Sequence, residues 1–281
     1  MLPGERRIHT TRGARTRTIL LLRMLARDFL RQRTILLFSL FFVSILPLVG
    51  YIVVDADAPP LPYLLDGQVI LASARGLSTL QMTFTGIAFV ASFVGFSLVL
   101  DSHTLDKRLV TVGYRPFEVM RAKLLLLFSI VLPLLAYTFT FSLLFYIPTD
   151  SLSVVVGLLL GGLIFGALGI LFGLVFKNKL TATYAMLITV VVDVGFLESP
   201  VFSDLYTARF MTVMPGFYPM RLIVEAGFQT VIRPWDHIIH GMAYFSLLMV
   251  LGLVLFWKHA SIQRRWEEEW GDIPGKASPT D

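Results

Sequence analysis

Cysteine is absent from the 281 residues, which excludes disulfides, thiolate metal sites and cysteine nucleophiles. Charge is scarce as well: Asp, Glu, Lys and Arg make up 15% of the chain against 56% hydrophobic residues, and the mean hydropathy is +0.74. A water-soluble globule has too little interior to hide that much apolar surface. The phosphate-binding loop Gly-x4-Gly-Lys-Ser/Thr, whose N–H groups and lysine cradle a nucleotide, is also missing. Its nearest echo, Gly271 to Ala277, has one residue too few between its glycines and no hydroxyl at its end. Arg108, Arg115 and Pro116 echo the opening of a lipid-phosphatase signature, but no Pro-Ser-Gly-His segment follows.

What is present is long apolar runs. Each is about 20 residues, enough to cross about 30 Å of hydrocarbon at 1.5 Å per residue. Six are expected as membrane spans, close to Ile35–Val54, Met82–Leu100, Leu124–Ile147, Val154–Phe176, Leu180–Leu197 and Ile238–Trp257. The expected fold is an all-α integral membrane protein forming a single domain over residues 1–281. No small-residue cleavage site follows the first run, so it is read as a retained span rather than a signal peptide.

The Lys and Arg residues are unevenly placed. With six spans, one side of the membrane holds nine in residues 1–34, five in 101–123, Lys177 and Lys179, and four after Trp257. The other side holds only Arg75, Arg209, Arg221 and Arg233. The positive-inside bias then predicts both termini in the cytoplasm of a multi-pass cell-membrane protein. It also accounts for the pI near 9.6 without a nucleic-acid partner.

Residues 16–33 read as an amphipathic helix at the cytoplasmic interface. Leu21, Leu22, Leu25 and Phe29 lie on one face, opposite Arg23, Arg27 and Arg31. The segment 198–237 holds Pro200, Pro215, Pro219 and Pro234, too many for one helix. It predicts short re-entrant helices, the second with Met220, Ile223, Val224, Gly227, Phe228 and Val231 on its apolar face. Residues 258–281 read as a short polar cytoplasmic tail, and Glu267–Glu269 within it as a solvated charge run.

Few residues offer chemistry. His237 and His240 stand at helical i, i+3 spacing, but no adjacent acid completes a metal site, and they read as interfacial. Asp193 interrupts the fifth run in its outer third. It is either a functional carboxylate or a group that reaches water or caps a turn. Gly162, Gly166, Gly169 and Gly173 form a stripe where two helices approach closely, and Phe89, Phe93 and Phe96 stripe the second run.

Between the second and third runs lies "DSHTLDKRLVTVGYRPFEVMRAK", residues 101–123, with five Lys or Arg. Leu105, Leu109 and Val112 recur at helical spacing, the Gly113–Pro116 stretch turns the chain, and Phe117 to Lys123 leads into the third span. An apolar strip inside a charged cytoplasmic loop needs something to cover it, which marks a docking element.

On this loop, the basic helix before the first span, the six-span topology and the broken helical segment "MPGFYPMRLIVEAGF" before the sixth, the chain resembles the membrane (permease) subunits of ABC-2 type ABC transporters. The resemblance implies that Asp101, Leu105, Leu109, Val112, Gly113, Arg115, Glu118 and Lys123 form a coupling region that docks on a separate ATPase, with Arg23, Arg27 and Arg31 beside it. It implies two ATPase subunits carrying the ATP and Mg, a second permease copy, and no catalytic role or cofactor for this chain. It further implies a substrate route lined by spans one, two and five, with Phe89, Ser92, Phe93, Phe96 and Asp193 as contacts and Thr83 nearby. The alternatives are an intramembrane enzyme and a stand-alone channel or secondary carrier.

Overall fold

The computed structural model describes residues 10–65, 68–102, 105, 109, 114, 116–176, 178–198, 211–229 and 234–271. In chain order these form helix α1 (Thr10–Arg31), α2 (Arg33–Val53), strands β1 (Leu61–Leu65) and β2 (Gln68–Ala72), α3 (Ala74–Leu100), α4 (Pro116–Ser142), α5 (Ser151–Val175), α6 (Lys179–Glu198), a 3-10 turn (Met211–Val213), α7 (Phe217–Phe228) and α8 (Pro234–Gly271).

Five of the helices are long and apolar enough to cross a membrane: Arg33–Val53, Ala74–Leu100, Phe117–Ser142, Ser151–Val175 and Pro234–Lys258. The fifth expected span is represented by a shorter apolar helix, Leu180–Gly195 within α6. The protein is therefore a helical, multi-pass membrane protein.

Local chemistry sets where the helices start. The Ser73 hydroxyl accepts from the Gly76 N–H at 3.1 Å and caps α3, which begins eight residues before the apolar run that marks it in the sequence. Hydropathy misses this first stretch because Arg75, Ser78 and Gln81 dilute it. Pro116 opens α4, where a missing N–H costs nothing, and Glu118 complements the helix dipole in its first turn. Asp150 caps α5 through the N–H groups of Leu152 and Ser153. Helix α8 does not stop at Trp257 but continues to Gly271, so most of the expected polar tail is helical.

A small hairpin departs from the all-helical expectation. β1 and β2 pair antiparallel, from Leu61 opposite Ala72 to Leu65 opposite Gln68. The two residues that separate them, Asp66 and Gly67, are a pair that two-residue hairpin loops favour.

Packing is centred on α3 and α5, each mostly buried, while α2, α4 and α8 leave most of their surface outward. The glycine stripe of α5 explains the centre. A Cβ at Gly169 would run into the Ser92 carbonyl, one at Gly95 into the Gly166 carbonyl, and one at Gly173 would lie 2.9 Å from Val99 Cβ. The two backbones are in contact, which is how helices associate where no hydrophobic drive acts between them. Hydroxyls along α3 bond back to their own helix: Thr79 to the Arg75 carbonyl, Thr83 to Thr79, Thr85 to Gln81, Ser92 to Phe89 and Ser97 to Phe93. Each polar side chain is thereby satisfied without water.

Candidate functional site

Two clusters of polar and charged groups stand at opposite ends of the bundle. One joins α1, the end of α3, the start of α4 and the middle of α8; the other surrounds α7.

At the α1 end, the period-3.6 reading of the first helix holds. Leu21, Leu25 and Phe29 are buried in the main core, and α1 packs along α4. Arg23, Arg27 and Arg31 are exposed on the other side. The apolar face thus rests on the protein's own span rather than on lipid alone.

Asp101 is exposed directly after α3, and its N–H donates to the Ser97 carbonyl at 3.1 Å. Leu105 and Leu109 are both helical and half-buried, packed with Tyr114 against the main core. Part of their surface is covered by the chain itself. Val112, Gly113 and Arg115 lie outside the described residues. Glu118 is half-buried on the first turn of α4, followed by fully buried Val119, Met120 and Ala122.

Lys123 is the distinctive residue of this end. Its exposure is 0%, and its Nζ donates to the Ser102 hydroxyl at 2.7 Å. The same nitrogen lies 5.8 Å from the Phe256 ring centroid of α8, a cation–π arrangement. One side chain therefore links Ser102 just beyond α3, the first turns of α4 and the middle of α8. A buried lysine stays only where its charge meets acceptors and π faces. Just outside, exposed Phe117 and Trp257 frame an apolar groove of about 220 Å³ with Leu253, Val254 and Phe256.

At the other end, α7 is held at both of its termini. Its first N–H groups would be orphans; the Gly216 N–H donates to Asp193 Oδ2 at 3.0 Å, so a carboxylate on α6 caps a neighbouring helix. Asp193 is 3% exposed, on the inward stripe of α6 with Ala182, Met186, Val190 and Val194. At the far terminus the Gly227 carbonyl accepts from the Thr149 N–H at 3.1 Å, the Thr149 hydroxyl at 2.9 Å and the Tyr146 hydroxyl at 2.8 Å. The Asp150 N–H donates to the Ala226 carbonyl at 2.8 Å. Burial of the Tyr146 phenol pushes its pKa up to about 12.

Glu225 of α7 and His237 of α8 form a buried pair, Oε1 to Nε2 at 2.8 Å. His240 stacks on Tyr218 with ring centroids 5.0 Å apart, and its Nδ1 donates to the Asp236 carbonyl at 2.7 Å. The pairing of Glu225 was missed in the sequence. Its signal is an acid on the same turn of α7 as the apolar residues Val224 and Ala226, a position that demands a partner.

The expected route residues separate into groups. Phe89 and Phe93 are half-buried and meet Phe38 and Phe42 of α2, with ring centroids 5.0–6.0 Å apart. Phe96 is fully buried beside Ala182 and Met186 of α6. Ser92 and Thr83 are buried and bonded to their own helix. Asp193 stands apart from all of these, beside α7. Of the three spans assigned to a route, α2 and α6 carry broad outward apolar faces and α3 does not.

No family model matches the chain, and no curated protein matches it either.

Proposed function

We propose that this chain is the membrane subunit of an ATP-driven exporter of the ABC-2 kind, a six-span protein of the cell membrane with both termini in the cytoplasm. It performs no ATP chemistry itself. Two separate ATPase subunits supply ATP and Mg, a second permease copy completes the route, and the cargo is an amphipathic molecule.

The observation that carries the reading is the Lys123–Ser102 bond. It ties Ser102, just beyond α3, to α4, while Asp101 and Phe117 beside it are exposed. A loop that served only as a connector has no need of a fully buried lysine, whose desolvation costs several kcal/mol unless its partners offset it.

Motion follows from the packing. Closure of an ATPase dimer pushes on residues 101–123, and Leu105, Leu109 and Lys123 pass that push to the end of α3 and the start of α4. Because α3 and α5 touch backbone to backbone at Ser92–Gly169, they move as one body. Helix α5 in turn bears on α7, where Gly157 faces Pro219 and Ile223. The outer helix is the element that a push from the cytoplasm finally moves.

The test is ATP turnover by the purified chain alone and in the complex it forms in its own cell. The chain alone is expected to be inactive and the complex active. Turnover by the isolated chain, free of contaminating ATPases, refutes the proposal.

A further inference from the structure

Two acids are buried around α7, and among the described residues only one of them meets a basic side chain. Glu225 meets His237 at 2.8 Å. Asp193 has one oxygen on the Gly216 N–H, while Oδ1 is buried and has no hydrogen-bond partner among the described residues. An ionised carboxylate offers about four acceptor sites on its two oxygens, so much of this one's capacity is unused in an apolar setting. Its compensation is the N-terminal end of α7, a helix of 12 residues whose aligned peptides place about half a positive charge there.

We propose that Asp193 is the binding site for the ammonium group of a cationic amphiphile, and that this group competes with the N-terminus of α7 for the carboxylate. The proposal rests on the exporter reading and narrows its cargo to one chemical class.

The chemistry selects an organic cation over a metal ion. Hard metal ions take six or more oxygens, and among the described residues no group of three His, Cys, Asp or Glu is placed to hold a metal. An ammonium needs one or two charge-assisted hydrogen bonds and tolerates apolar surroundings around its alkyl part. Val190 and Val194 supply such surroundings on α6.

Geometry makes the binding a switch. Oδ1 is sealed in this state, so a head group reaches it only when α6 and the start of α7 part at Gly216. The far terminus is held by three bonds to the Gly227 carbonyl and one to Ala226. Among the described residues, the near one is tied to another helix by the Asp193 bond alone, beside the local bond from the Phe217 N–H to the Met214 carbonyl at 3.2 Å. Helix α7 therefore swings about its Gly227 end. Whatever favours the ammonium on Asp193 disfavours the Gly216 bond by the same free energy, as linkage requires.

The test uses the full chain in lipid nanodiscs, with dodecylammonium as the probe and dodecanol as its neutral counterpart. Amide hydrogen exchange is followed at Gly216 to Tyr218. Dodecylammonium is expected to speed exchange there about tenfold, equivalent to about 1.4 kcal/mol, with the Gly227 end unchanged. Dodecanol is expected to have no such effect. Asp193→Asn keeps an acceptor for Gly216 but loses the charge, and should no longer respond. Equal effects of the two amphiphiles, no effect of either, or an undiminished response in Asp193→Asn would each overturn the proposal. If Asp193→Asn fails to fold, the comparison of the two amphiphiles on the unaltered chain still decides. No ATPase is needed, so this outcome is independent of whether the chain partners one.

Discussion

Lys123 and Ser102 meet at 2.7 Å although 21 residues separate them, and the bond closes the charged segment between α3 and α4 onto itself. Ser102 in turn donates to the Leu98 carbonyl at 2.6 Å, so the lysine is anchored to the last turn of α3.

Removing the hydroxyl tests that anchor. Ser102→Ala leaves a buried cationic donor short of one acceptor, which costs about 1.5–3 kcal/mol. Combined with Lys123→Met, the effects are expected to be non-additive by about 1 kcal/mol or more. Thermal unfolding of the four proteins of the cycle in detergent measures the coupling. Simple additivity would remove the bond from the account.

The α3–α5 contact predicts a contrast between two glycines. Gly169→Ala forces a methyl into the Ser92 carbonyl and should cost about 1–3 kcal/mol by overpacking, because backbone on both sides has to move. Gly195→Ala on α6 meets nothing among the described residues and replaces a poor helix former, so it should be neutral or stabilising by up to about 1 kcal/mol. Comparable losses in both would show that the glycines act through helix propensity, not through close approach.

How far the sequence reveals this protein depends on the distance over which each feature is encoded. The buried face of α1, Leu21, Leu25 and Phe29, is legible because a helix repeats every 3.6 residues and its basic face is fixed by the same repeat. The glycine stripe of α5 is legible for the same reason. Helix ends are less so: α3 starts at a Ser73 cap and α8 runs through polar residues to Gly271, and neither fact registers in hydropathy. The hairpin at Leu61–Ala72 announces itself only through Asp66-Gly67, in a stretch whose prolines argue for irregular loop. Pairs that the fold brings together, Lys123 with Ser102, Asp193 with Gly216 and Glu225 with His237, leave no local pattern at all. Each needs the packed bundle to decide which polar group lies opposite which.

Acid should loosen the start of α5. Hydrogen bonds from the Ser153 side chain, and then from backbone N–H groups, hold the Asp150 carboxyl below its ordinary value of 3.8. A carboxylate whose pKa is lower in the folded chain contributes stability that is complete above the unfolded value and is lost as pH falls through the folded one. Asp150→Ala should thus cost about 1 kcal/mol at pH 7, the usual worth of an N-cap, and progressively less below about pH 4. Melting temperatures of the two proteins from pH 3 to pH 7 give the comparison. A gap that widens on acidification contradicts this role.

Topology is directly accessible because the chain has no cysteine of its own. Single substitutions Ser73→Cys and Val213→Cys, both at exposed positions, should react with an impermeant maleimide in intact cells. Arg27→Cys and Asp101→Cys, equally exposed, should react only after the membrane is opened. The reverse pattern would place the basic end outside, against the positive-inside expectation.

The most direct measurement of the central claim is photo-crosslinking from the surface assigned to the ATPase. A photoreactive amino acid is placed at Asp101 or at Phe117, with Val213 as the control, and the chain is irradiated in the membranes of its own cell. The expected result is one crosslinked partner at Asp101 and Phe117 that carries the phosphate-binding loop this chain lacks, and none at Val213. A full-length, inserted chain that crosslinks only to itself or to lipid at those two positions would contradict the account.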